Sequence, residues 1–352
     1  MNDLYLIGNG FDLAHGLKTS YNDFLLWYLK KSIMSITPDK LFEDDLISIK
    51  KRFGNPLEVH TCISELFEEC KRLQIVITYK HDFFKKIVEN YRDYKWVDIE
   101  YEYYMALVTL YRRLEKAGVL KHDQIDKELG MLNICFASIK DKLEEYLFSI
   151  KISDEKKNRQ IEKRLLEYTG VDGVSTGKKL FLYFNYTSTI DLYRNWSFDD
   201  KIQLIHIHGK LRDNSNPIIF GYGDEMDPHY EKIENLNNNE FLKNIKSFSY
   251  FKTDNYQKVI RFIEGEGREF TVKILGHSCG LSDRILLNTI FEHPNCKQIK
   301  IFHYEKSPTE NDYFEKTQEI SRHFKASKKG EMRVKIVPFD KDSAMPQNPK
   351  EN

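Results

Sequence analysis

The stretch "LYLIGNGFDLAHGLKTSYNDFLLWYLKK", residues 4–31, sets Gly8, Gly10 and Gly16 between a short apolar run and an amphipathic one. Residues 5–7 read as a buried strand, and residues 20–31 as a helix carrying Phe24, Trp27 and Tyr28. Glycine at a strand end lets the backbone approach something closely. N–H groups at a strand-to-helix turn can bind phosphate. On that reading Gly8, Asn9, Gly10 and Phe11 curl around a ligand, and Gly16 holds the chain beyond them near it. The spacing G-x-G-x5-G departs from the dinucleotide pattern G-x-G-x-x-G. Asp12 would repel a phosphate and suits a ribose hydroxyl instead. A plain tight connection explains the same glycines equally well.

Working outward, short apolar strands return only after residue 179, in "LFLYFNY", "IQLIHIHG", "PIIFGY", "VKILGH", "QIKIFHY" and "RVKIVPF". Apolar residues at most positions mark strands buried on both faces of a parallel sheet. Helical stretches between them, including 241–264 and 282–291, point to an α/β fold with a doubly wound, mostly parallel, Rossmann-like sheet. The chain from about 39 to 169 reads as almost entirely helical. The expected organisation is therefore a discontinuous α/β domain (1–38 and 170–340), a helical insertion (39–169) and a frayed polar tail (341–352). Within the insertion, Ile125, Leu129, Leu132, Phe136, Ile139, Leu143, Tyr146 and Ile150 recur as a heptad, a narrow seam suited to a long partner helix. Packing in a bundle of the same chain is one reading. A homo-oligomer formed through the insertion is the other.

Composition narrows the function classes. The 352 residues are 41% apolar, enough for a sizeable core. Lys plus Arg and Asp plus Glu both total 54, so nucleic acid is not indicated by net charge. Apolar runs fall short of a membrane span and no secretory leader is visible, so no membrane association is expected. Five scattered cysteines without a C-x-x-C pair fit reduced thiols in a cytoplasmic protein and disfavour a four-cysteine zinc site.

Three further stretches place polar residues where strands end. In "FNYTSTIDLY", residues 184–193, Asn185 follows an apolar run and can hold a hydroxyl or a water; a cap or Asx turn is the bland alternative. In "IHIHGK", His206 and His208 share one strand face, and His208, followed by Gly209, can face a cleft as a base. A satisfied structural histidine is the commoner fate of that residue type. In "ILGHSCGLSDRIL", residues 274–286, Gly276, His277, Ser278 and Gly280 precede a helix that Ser282 or Asp283 would cap. Carboxyl ends of parallel strands share one sheet edge, so these stretches and the first turn are expected to meet in one cleft.

Together "IGNGFDLAHGLKTSYNDF", "FNYTSTID", "IHIHGKL", "IIFGYGD" and "GHSCGLSD" resemble the bacterial abortive-infection AbiH family, and "KWVDIE", residues 95–100, resembles a helix motif of that family. The resemblance implies defence against bacteriophage, with a phage-derived trigger. A more distant likeness reaches the sirtuin-like NAD-binding fold. There Gly8, Gly10 and Gly16 match the glycine turn, Asn185 the ribose- and water-holding Asn, His208–Gly209 the catalytic His-Gly, and Gly276-x-Ser278 the adenosine-side loop. The implied site has Asn185 and His208 as catalytic residues. Gly8, Asn9, Gly10, Phe11, Asp12, Gly16, Gly209, Gly276, Ser278 and Asp283 would contact the nucleotide. Asp12 stands where that fold has serine, Lys18 where it has proline, and the paired cysteines of its zinc module are missing. Deacylation is therefore disfavoured, and the implied activity is hydrolysis of NAD, as substrate, with no metal. Two alternatives remain open from the residues. One is a metal-dependent phosphoesterase or nuclease using His206, His208, Asp224, His277 and Asp283. The other is a non-catalytic nucleotide sensor acting through the helical insertion.

Overall fold

A computed structural model describes residues 1–36, 41–51, 62–94, 97–116, 122–166, 177–196, 201–265 and 269–348. The chain divides into two compact units, one formed by 1–18, 150–227 and 245–352, the other by 19–149 and 228–244.

The strands among the described residues, in chain order, are β1 (Asn2–Ile7), β2 (Phe42–Glu43), β3 (Ile47–Lys51), β4 (Ile75–Tyr79), β5 (Lys179–Tyr183), β6 (Ile202–His206), β7 (Phe270–Leu275), β8 (Cys296–Phe302) and the short pair β9 (Glu305–Ser307) and β10 (Glu310–Asn311). The first unit is built on a five-stranded parallel sheet in the order β6-β5-β1-β7-β8. Counted by occurrence in this sheet, the strands lie 3-2-1-4-5, a Rossmann-like order with its reversal between β1 and β7. β1, β5 and β7 are buried at every position, as strands covered on both faces must be.

Side-chain alternation divides the core into two layers. Leu4, Leu6, Leu180, Leu182 and Phe184 face one layer with Val259, Ile263, Leu286, Leu287 and Ile290 from helices Asn255–Glu264 and Arg284–Phe291. Tyr5, Ile7, Phe181 and Tyr183 face the other, with Phe11, Ala14, Ile161 and Leu165. Each such side chain contributes roughly 1.5–3 kcal/mol when fully buried. Two lysines inside these layers have hydrogen-bond partners there: Lys273 donates to Asp3 at 3.0 Å, and Lys179 to the Leu165 carbonyl at 2.9 Å.

Several expectations are corrected. "RVKIVPF" is not a strand: Arg333, Val334 and Lys335 close helix Lys329–Lys335, and Ile336 makes an isolated bridge to Ile299. Lys335 turns inward to donate to the carbonyls of Phe291 and His293, so it serves a helix end rather than a ladder. "PIIFGY" forms only an isolated bridge, Tyr222 with Ile245. The expected helix over 241–264 breaks into Asn239–Leu242, Lys246–Ser249 and Asn255–Glu264. Within the tail, residues 341–348 make specific contacts. Met345 is buried, its N–H donates to His303, and the Asn348 amide bonds Lys156 and Asn158.

The second unit holds helices Tyr21–Met34, Ile63–Arg72, Asp82–Tyr94, Ile99–Lys116 and His122–Ser149. It also contains an antiparallel β2-β3-β4 sheet that the helical reading omitted. "IVITY" alternates in burial as a half-covered strand does. Helix Tyr21–Met34 starts at a capping box of Ser20 and Asp23 and belongs to this unit, so the first division falls near Lys18. The expected boundaries at 38/39 and 169/170 lie outside the described residues. Of "KWVDIE", Lys95 and Trp96 also lie outside; Asp98 accepts from the Tyr101 N–H and caps its helix. From Ile125 to Tyr146 every residue of the seam is buried within this chain, and the helix ends before Ile150. Phe136 stacks on Tyr103 with centroids 4.0 Å apart.

Candidate functional site

The turn after β1 meets the loop after β7 where the strand order reverses. Gly10 N–H donates to Gly276 O at 2.8 Å, Phe11 N–H to Gly8 O at 2.8 Å and Gly8 N–H to Leu275 O at 3.4 Å. A Cβ on Gly8 would lie 2.6 Å from His277 Cα, and one on Gly10 2.7 Å from Gly276 O. Gly276 itself has φ +74°, and a Cβ there would meet Phe11 N at 2.4 Å. Three glycines thus let two loops cross with almost no gap, and three turn amides are spent within the chain. Gly16 ends the short helix Asn9–Ala14 with φ +72°. Gly209, φ +84°, lies against Pro217.

Asp12 points into the protein, not toward a cleft. It is 1% exposed, and it accepts from Tyr183 Oη at 3.1 Å and Thr187 Oγ1 at 2.6 Å. Burial raises its carboxyl pKa against the hydrogen bonds of Thr187, Thr189, Asn185 and Tyr183. The Asn185 amide donates to Gly8 O at 3.0 Å. Asn185 and Asp12 together tie the end of β5 to the first turn.

On the opposite side of β5, Phe184 leads to a second cluster. Its ring meets His208 and His277 edge-on, with centroids 5.0 and 4.1 Å away. His208, just beyond β6, places Nε2 3.0 Å from Asp283 Oδ1. Lys246 Nζ reaches the same oxygen at 2.9 Å, and His277 Nε2 lies 3.6 Å from Oδ2. All four side chains are less than a tenth exposed. Burial, then the Lys246 ammonium, pushes the His208 pKa down to about 4 against the pull of Asp283. Burial likewise lowers His277. Burial alone would raise Asp283, yet Lys246 and His208 hold it well below the usual carboxylate range. The result is a carboxylate shared by one ammonium and two neutral imidazoles.

His277 is fixed by its own loop: Nδ1 accepts from the Cys279 N–H at 2.9 Å, which leaves Nε2 as the donor toward Asp283. Cys279 adopts φ +57° to make that turn. Its thiol, pushed up to about 12 by burial, is inert as a nucleophile near neutral pH. Ser278 is exposed, between the buried His277 and Cys279. Asp224 pairs with Arg284 at 3.0 Å.

The sheet edge therefore gathers His208, His277 and Asp283 into one cluster and sets Gly8, Gly10, Asp12 and Asn185 in a neighbouring network. Sequence reasoning did not find Lys246 or Tyr250, whose Oη lies 3.5 Å from His208 Nε2. Both sit in a run read as one unbroken helix, where a lysine looks solvated. Among the described residues, no group of three or more His, Cys, Asp or Glu is placed to hold a metal ion, and no helix is long and apolar enough to cross a membrane. A cavity of about 280 Å3 lies at the opposite, amino-terminal edge of the sheet, lined by Asn2, Lys178, Gln203, Lys258, Arg261, Phe262 and Gly265.

A five-stranded parallel α/β unit with a buried acid–base cluster at its carboxyl edge is the class of protein these features define. The family model described as "Bacteriophage abortive infection AbiH" matches residues 4–304, and the chain belongs to that family. Its role is thus in phage abortive infection. No curated protein and no solved structure matches it.

Proposed function

We propose that this abortive-infection protein acts by hydrolysing the nicotinamide–ribose bond of NAD, with His208 as general base and Asp283 as the carboxylate that orients it. The observation that carries the reading is the 3.0 Å contact of His208 Nε2 with Asp283 Oδ1 beside the carboxyl ends of β5, β6 and β7. An ionised carboxylate only accepts, so Nε2 carries the proton and Nδ1 is the basic nitrogen. Burial keeps that nitrogen unprotonated at neutral pH. Nδ1 would take a proton from water as the water oxygen bonds to C1′. The C1′–N bond breaks, and its electron pair neutralises the nicotinamide ring. A base so placed supplies on the order of 10²–10⁴-fold.

The choice of NAD rests on the sirtuin-like resemblance of the Gly8, Gly10 and Gly16 turn, Asn185, His208–Gly209 and Gly276-x-Ser278. The reading assigns Asn185 and Asp12 to shaping the first turn rather than to chemistry, because their hydrogen bonds are made inside the chain. With His208 and Asp283 only 5% and 7% exposed, a dinucleotide must displace part of the chain covering them. Exclusion of water by that cover would strengthen the electrostatics of the pair once substrate is bound. Incubating purified protein with NAD and separating the products tests the reading. Equimolar nicotinamide and ADP-ribose are expected, whereas cleavage at the pyrophosphate, giving AMP, would contradict it.

A further inference from the structure

We infer that Lys246 is the positioning residue of this site: by sharing Asp283 Oδ1 with His208 Nε2–H, its ammonium holds the imidazole neutral, with Nδ1 as the basic nitrogen. The inference deepens the reading above and rests on it for its catalytic meaning, but its chemistry can be measured without any substrate.

Lys246 is placed by backbone, not by chance contact. Its N–H donates to Tyr222 O at 3.0 Å beside the Tyr222–Ile245 bridge. Gly223 leaves room for it, since a Cβ there would stand 3.2 Å from Lys246 Cβ. From there Nζ reaches Oδ1 of Asp283 at 2.9 Å, while His208 Nε2 reaches the same atom at 3.0 Å. The groups facing His208 come from four segments: Phe184 and Tyr186 after β5, Lys246 and Tyr250 before helix Asn255–Glu264, His277 after β7, and Asp283 before the next helix.

Lys246 and Asp283 carry the opposing charges of this set at neutral pH. While both are present, the buried charge is balanced, and protonating His208 would add an uncompensated cation. Without the ammonium, the carboxylate would face two imidazoles, with Lys316, which donates to the His277 carbonyl at 2.9 Å, as a further cation beside His277. A proton bound to one of them would then be the nearest compensating charge, so the base would be blocked at the pH where it is needed. Neutralising Lys246 should therefore convert His208 from a base into half of an ion pair.

Nuclear magnetic resonance of the full chain labelled with ¹⁵N-histidine tests this, with His208→Gln assigning the signal. In the wild type at pH 7 we expect His208 to carry its proton on Nε2 and to stay neutral down to about pH 5. In Lys246→Met, His208 or its neighbour His277 should titrate at a pH at least about one unit higher, a tenfold change in proton affinity. Lys246→Arg should restore the wild-type curve. A wild-type His208 that is protonated on Nδ1 or charged at pH 7 would overturn the inference, and that spectrum decides the matter even where Lys246→Met does not fold. A folded Lys246→Met with wild-type titration would overturn it as well. The expected spectra without NAD cleavage would instead count against the proposed reaction and leave the role of Lys246 standing.

Discussion

His208 shows how burial and one neighbouring ammonium convert an ordinary imidazole into a base that works below neutral pH, against the pull of its carboxylate partner. Its pKa of about 4 predicts that the acid limb of kcat/KM for NAD cleavage falls near pH 4 to 5, not near the 6.5 of a solvated imidazole. A pH profile with its midpoint near 6.5 would contradict it. Asp283→Asn keeps the shape but removes the acceptor-only partner, so the imidazole loses its preferred tautomer. Cleavage should fall with little change in KM. The same shifts govern stability. His208 and His323 both have folded pKa values pushed down to about 4, chiefly by burial. The unfolded chain therefore binds more protons between about pH 6.5 and 4, and stability must fall as pH drops through that window. Each imidazole accounts for roughly 1–3 kcal/mol. His15 and His277, also lowered by burial, act in the same direction. Asp12, whose pKa is raised by burial, opposes them. Urea midpoints measured from pH 7 to pH 4 should decline; a flat profile would show that the histidines are not buried neutral.

Loops and strands explain why the glycines were visible in the sequence while their purpose was not. "LYLIGNG" reads as a strand entering a tight turn, and it is one. A glycine that admits a phosphate and a glycine that admits another loop are the same letter. Only the position of Gly276 reveals that Gly8 and Gly10 leave space for backbone. Gly10→Ala should therefore lower stability by about 1–3 kcal/mol, as overpacking does, with or without nucleotide present. The parallel strands were legible because β1, β5 and β7 are buried on both faces and mostly apolar. β2, β3 and β4 were not, since short half-covered strands among Lys- and Glu-rich helices carry little periodic signal. The heptad of helix His122–Ser149 was plain in the sequence, but a seam does not name its partner. Its residues pack against this chain's own helices, so Leu132→Ala or Ile139→Ala should cost about 2–5 kcal/mol in unfolding experiments without altering the sedimentation of folded protein.

Taken whole, the chain builds each of its two units from separated segments. Residues 341–348 belong to the first: Met345 is 4% exposed, and the Asn348 N–H bonds Ala14 O at 2.7 Å. Ending the protein at residue 340 should lower the thermal midpoint by several degrees, on the order of the loss of one buried side chain and its hydrogen bonds. Proline and polar letters made that segment look unattached, because side-chain hydrogen bonds to distant carbonyls leave no local pattern. Membership of the AbiH family gives the setting of phage defence, and the most direct measurement belongs in that setting. Intracellular NAD and nicotinamide should be followed after phage infection in cells producing either the wild type or a folded His208→Gln variant. Infected wild-type cells should lose NAD and gain nicotinamide, and His208→Gln should slow that loss about 10²-fold or more. NAD that stays constant while wild-type cells abort infection, or that falls equally fast with His208→Gln, would contradict the proposal.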